Sequence, residues 1–207
     1  QDFSLSGKRK GFNSDKSHHG KKLESVDDAT EENRGKLYMW MREVVNLVRP
    51  KVFVAENVEG LVTLDDVKEI IQKDFENIGS GYHVVAPQVL LAADYGVPQS
   101  RERVFFIGYR KDALKNKALD SLHKDVQRTR YYPYPEPTHS RNGSNGFKKH
   151  VTVRQALAGL GEPHNSRDLS HQSFSRAKFY GSHCQGQTEV KLNGIGPTIR
   201  AEHHGNI

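Results

Sequence analysis

At 207 residues the chain is long enough for one large domain, or one and a fraction, and for a real core. A mean hydropathy of −0.75 goes with long polar loops, no apolar run approaches the length of a membrane span, and no signal-peptide pattern opens the chain. The formal charge of +6 favours a polyanionic partner, and a single cysteine, Cys184, excludes an internal disulfide or a zinc–cysteine cluster, in keeping with a reducing cytosol.

Residues 1–33 read as loop. Gly7, Gly11 and Gly20 punctuate a polar run holding Lys8-Arg9-Lys10 and Lys21-Lys22, with no period of 2 or 3.6. From Arg34 to Arg49 the spacing turns helical, with Leu37, Trp40, Met41, Val44, Val45 and Val48 on one broad face, and Pro50 ends it. Val52 to Ala55 form a continuous apolar strand, the pattern of one covered on both faces, that runs into Glu56 and Asn57. Thr63-Leu64-Asp65-Asp66 starts a helix whose apolar face, Leu64, Val67, Ile70, Ile71, Phe75 and Ile78, reaches Gly79. This order of helices and strands predicts an α/β fold with a parallel sheet.

A strand at 82–91 follows, then the turn Ala93-Asp94-Tyr95-Gly96-Val97-Pro98, the segment Gln99-Ser100-Arg101-Glu102-Arg103 and a strand at 104–108. Residues 111–130 suit a peripheral helix, and the prolines of Tyr131 to Pro137 impose an extended run. Ser140 to Gly146 reads as a flexible linker and Val153 to Leu160 as a short helix; from Gly161 on the core runs out. His18-His19 and His203-His204 lack carboxylates or thiols at ligand spacing and read as solvated loop histidines, so no metal is expected.

Glu56, Asn57, Arg101 and Arg103 put an acid, an amide and two guanidiniums at strand ends, a set suited to an anionic substrate whose base or carbonyl needs a proton. Arg101 and Arg103, at alternate positions, are expected to share a face. Taken by itself, Glu56 reads better as a helix cap or an ion-pair partner of a nearby arginine.

Glu56-Asn57-Val58, Gln99-x-Arg101-x-Arg103 and the opening Gln1-Asp2-Phe3-Ser4 resemble three successive motifs of the DNA (cytosine-5)-methyltransferases, in their bacterial form. The resemblance implies part of a Rossmann-like methyltransferase core using S-adenosyl-L-methionine, and part of a small, mostly irregular or β target-recognition domain. Residues 1–162 would be the second half of the catalytic domain, with 1–33 the active-site loop and 131–150 a Pro/Gly-rich connection; 163–207 would belong to the recognition domain. The family's opening motif is Pro-Cys-Gln, so its nucleophilic cysteine is expected immediately before Gln1, and this segment alone is expected to be inactive. Cys184, in His183-Cys184-Gln185-Gly186, echoes Cys-Gln without the proline or a strand leading into it.

In such enzymes a thiolate adds to C6 of a flipped-out cytosine and C5 then takes the methyl group, which places negative charge on N3 and O2. Glu56 matches the family's proton donor at N3, a duty that calls for a dry pocket. Asn57 would hold the pocket's shape, and Arg101 and Arg103 would orient Glu56, the O2 edge and the nucleotide's phosphate. Asn33-Arg34-Gly35-Lys36-Leu37-Tyr38 resembles a cofactor-pocket motif, making Leu37 and Tyr38 candidate cofactor neighbours, although composition favours a core role for both. DNA-facing candidates are Ser4, Lys8, Arg9 and Lys10 near phosphates, Gln99 at its turn, where support of the turn is the better reading, and Arg167, Arg176 and Arg200 in the major groove. Gly196 to Asn206 resembles the end of the recognition domain in bacterial members. The implied partners are double-stranded DNA and a cognate restriction endonuclease, with no membrane, in a monomer of the bacterial cytoplasm at the nucleoid. A catalytically inactive DNA-binding relative and a transfer-RNA methyltransferase of the same family are the alternatives.

Overall fold

The computed structural model describes residues 38–61, 66–123, 131–162, 165–172 and 190–199. Helix α1 spans Tyr38–Val48, strand β1 Val52–Val58, helix α2 Val67–Glu76, strand β2 Tyr82–Leu91 and strand β3 Glu102–Arg110. Helix α3 covers Asn116–His123, strands β4 and β5 are His139–Ser140 and Lys148–Lys149, and helices α4 and α5 are Val153–Ala156 and Leu169–Gln172. Two compact units emerge. One draws on Gln1–Leu90 with Glu102–Pro135, the other on Leu91–Arg101 with Glu136–Ile207. This division by packing falls at Pro135, whereas the functional division expected from the motifs falls at 162.

The first unit is α/β. Its sheet has the order β1-β3-β2, so β2 and β3 lie side by side as the family resemblance implied. It is not the parallel sheet expected: β1 and β3 run antiparallel, with Glu56 opposite Phe105 and Val58 opposite Arg103. The chain reaches β3 from β2 through residues 92–101, too short a connection for the helical crossover that joins long parallel strands, which takes a dozen or more residues.

One face of the sheet carries Phe53, Tyr82, Val84, Val104 and Phe106, all buried, and packs on Val45 of α1 and on Val67, Ile71 and Phe75 of α2. The Phe53 and Phe75 rings are 4.7 Å apart between centroids. Gly108 is required on this face, because a Cβ there would lie 2.1 Å from the Phe53 ring. The opposite face carries a smaller cluster of Val85, Ile107, Leu122 and Tyr134. The Tyr134 hydroxyl donates to the Phe105 carbonyl at 2.9 Å, which anchors the proline-rich run to β3.

Several expectations change at this level. Val52 and Val54 are 46% and 56% exposed, so β1 is covered on one face rather than two. The broad apolar face of α1 is likewise divided: Val45 is buried, with Tyr38 and Met41 packed against the core, whereas Trp40, Val44 and Val48 are exposed. Helix α1 ends at Val48, and Arg49 then takes φ 51° ahead of Pro50. Asp66 stands at the N-cap of α2 without a side-chain cap, and Thr63 and Leu64 lie outside the described residues. Ile70 is exposed; the remaining described face of α2, with Ile78, is core.

The second unit shows that the Gly/Asn/Ser stretch is more than a tether. It folds back so that β4 and β5 pair in parallel, the Gly143 N–H donates to the Ser140 Oγ at 3.1 Å, and Gly143, Asn145 and Gly146 all take positive φ. Helix α4 is shorter than the predicted 153–160 but opens with a capping box. The Thr152 hydroxyl accepts from the Gln155 N–H at 3.2 Å, and the Gln155 side chain accepts from the Thr152 N–H at 2.9 Å. No described helix is long and apolar enough to cross a membrane.

Candidate active site

Strand β1 does not stop before the acid and the amide but continues through both, and its pairing with β3 sets what each can reach. Positions 56 and 58 share a face, as do 103 and 105, so Glu56 and Arg103 are diagonal neighbours across the pair, within reach of long side chains. Arg103 Nε donates to Glu56 Oε1 at 2.7 Å. The Arg103 Nη1 group turns back to the carbonyl of Glu102, also at 2.7 Å, which fixes the guanidinium. Arg103 is 19% exposed and Glu56 46%; the described residues therefore do not form the dry pocket expected around the acid.

Asn57, next along β1, points to the opposite face. Its Oδ1 accepts from the Val58 N–H at 2.8 Å, so its amide stiffens the strand end locally. Arg101 stands one residue before β3, at the end of the 91–101 stretch of the second compact unit. Its carbonyl accepts from the Ala92 N–H at 2.9 Å, and among the described residues its guanidinium forms no ion pair. Gln99 is bridged in parallel to Gly196, a supporting position.

Tyr38 packs against the core and donates its hydroxyl to Asp74 Oδ2 at 2.5 Å, tying α1 to α2. Burial, then this hydrogen bond, pushes the phenol well above its ordinary range. Arg167 is exposed. Ser4, Lys8, Arg9, Lys10, Leu37, Arg176, Cys184, Arg200, His18-His19 and His203-His204 lie outside the described residues, as do residues 1–33, expected to be the active-site loop, and all but 196–199 of the segment from Gly196 to Asn206.

Sequence reasoning missed one pair in the second unit. His150 Nε2 lies 2.8 Å from Asp94 Oδ1, and the Thr138 N–H donates to the Asp94 carbonyl at 2.9 Å, so the turn before Arg101 is pinned through both ends of one aspartate. The only available signal was Asp94 in a turn, and its partner lies 56 residues away.

The family model for C-5 cytosine-specific DNA methylases matches residues 1–189. The chain belongs to that family. Among curated relatives, it is 42% identical over 141 residues to the type II methyltransferase M.NgoFVII of Neisseria gonorrhoeae, covering 67% of this chain and 33% of that protein. Against M.BspRI of Lysinibacillus sphaericus it is 36% identical over 135 residues, 65% of this chain and 27% of the relative. A solved structure of a DNA modification methyltransferase encoded within an Escherichia coli prophage matches with a TM-score of 0.43 at 28% identity, covering 64% of this chain and 32% of that one. The chain thus spans between about a quarter and a third of the length of these curated relatives.

Proposed function

We propose that this chain supplies the base-handling part of a cytosine-5 DNA methyltransferase, in which Glu56, oriented by Arg103, serves N3 of a flipped-out cytosine. The observation that carries the reading is the 2.7 Å contact between Arg103 Nε and Glu56 Oε1 across β1 and β3. Arg103 engages one carboxylate oxygen, and among the described residues the other has no hydrogen bond, so it is available to the base. As negative charge develops on N3 and O2, donation to N3 lowers the barrier; it requires the proton to sit on the Glu56 oxygen that Arg103 does not engage, and N3 then takes that proton or shares it in a hydrogen bond. Asn57, whose Oδ1 accepts from the next amide of its own strand, would help hold the shape of the pocket at the strand end.

The family relation supports S-adenosyl-L-methionine as the methyl donor, which when bound supplies the group transferred to C5. Of the two cofactor candidates, Leu37 lies outside the described residues, and Tyr38, whose hydroxyl is committed to Asp74, would offer a cofactor only its ring. The net charge of +6 suits duplex DNA as the substrate, and the type II relatives suit a restriction–modification setting.

The test is Glu56→Gln in the complete enzyme. Transfer of radiolabelled methyl groups to duplex DNA should fall at least about tenfold while DNA affinity by gel shift is retained, because the lost donor acts only after the base is bound. Unchanged turnover would make Glu56 structural. Wild-type transfer to RNA but not DNA would favour the transfer-RNA reading, and binding without transfer the inactive relative.

A further inference from the structure

The backbone on either side of Arg101 is held, and by residues far apart in sequence. Gln99 and Gly196 form a parallel bridge; the Ser100 N–H donates to the Gly196 carbonyl at 2.8 Å and the Gly196 N–H to the Pro98 carbonyl at 2.9 Å. The Thr198 hydroxyl donates to the Ser100 carbonyl at 2.9 Å. On the far side of Arg101, the Ala92 N–H donates to the Arg101 carbonyl at 2.9 Å. Gly196 is buried, and a Cβ there would meet the Pro98 carbonyl oxygen at 3.2 Å and Val153 Cγ2 at 3.3 Å, so glycine permits the close approach.

The clamping stretch is anchored in turn. The Val153 and Arg154 N–H groups donate to the Gly194 and Leu192 carbonyls at 2.9 and 2.8 Å, and Arg154 Nε donates to Asn193 Oδ1 at 2.9 Å. The geometry is specific because a peptide unit is planar. Thr198 holds the plane between Ser100 and Arg101, and Ala92 holds the plane between Arg101 and Glu102. With both planes fixed, the direction in which the Arg101 side chain leaves the backbone is fixed as well.

We infer that Thr198 and Gly196 are positioning residues for Arg101, so that the stretch 192–198 sets the aim of an arginine used on the target nucleotide. This rests on the function proposed above. It also means that a shift of 192–198 on engaging DNA is passed directly to Arg101, and target recognition is coupled to chemistry through one hydroxyl and one pair of main-chain bonds.

The experiment compares Thr198→Val, which keeps the shape and removes the donor, with Thr198→Ser, which restores it, in the complete enzyme. Thr198→Val should lower the single-turnover rate of methyl transfer by about fivefold or more at saturating DNA, as loss of one aligning hydrogen bond implies, with DNA Kd and Tm held. Thr198→Ser should recover the rate, and amide exchange at Ser100 should be faster in the valine variant alone. A valine variant with wild-type rate overturns the inference, as does one whose rate, Kd and Tm fall together or that serine does not rescue. Wild-type enzyme that transfers no methyl group to DNA sinks the proposed function itself, and slow exchange at Ser100 would still show the clamp present.

Discussion

Glu56 illustrates how a residue's reading depends on what lies across from it. By itself a glutamate at the end of an apolar run is most simply an ion-pair partner, and it is one, to Arg103. Among the described residues the same contact leaves its second oxygen without a hydrogen bond, so the ion pair is compatible with the catalytic role proposed. Tyr38 gives a sharper test at this scale. Its phenol holds its proton more tightly in the folded chain than in the unfolded one, where the ordinary value is 10.0. The stability it contributes is therefore fully present below about pH 10 and is lost as the pH rises above it. Tyr38→Phe is expected to cost about 1 kcal/mol at pH 7, through the lost bond to Asp74, and to flatten the alkaline fall in stability. Urea unfolding of both forms at pH 7 and above pH 10 checks this.

Among the elements, α4 shows local code at work. Thr152-Val153-Arg154-Gln155 satisfies the capping-box pattern, and both reciprocal bonds form. With four residues in the helix, the cap is a large share of what holds it, and the freed Val153 and Arg154 amides are those that anchor Gly194 and Leu192. Thr152→Ala should cost about 1 kcal/mol locally, read as roughly fivefold faster amide exchange at Gln155 with Val153 and Arg154 following. Unchanged exchange at all three would show that the anchor holds the helix without its cap. The strands followed a different logic. Apolar runs at 52–55, 82–91 and 104–108 were legible, yet their direction was not, because periodicity records which face a side chain takes and not which way a neighbouring strand runs.

For the whole molecule, charge is the property that composition determines, and it yields a prediction independent of any contact. A chain of net charge +6 that neutralises phosphates releases counterions on binding DNA. Raising salt from about 50 to 200 mM should weaken duplex binding by at least about tenfold, measured by fluorescence anisotropy; a flat response would remove DNA backbone contacts from the proposal. The sequence by itself determined the family, the residue types at the site and the positions of the main helices and strands. Those follow from local motifs, apolar spacing and breakers such as Pro50, which act over a few residues. Only the tertiary structure decided that β1 and β3 are antiparallel, that Glu56 meets Arg103 while Asn57 faces away, and that Thr198 reaches Ser100. Each of these depends on register or on pairing between segments tens of residues apart, and the free energy that selects such pairings lies in packing and hydrogen bonds that no local pattern contains.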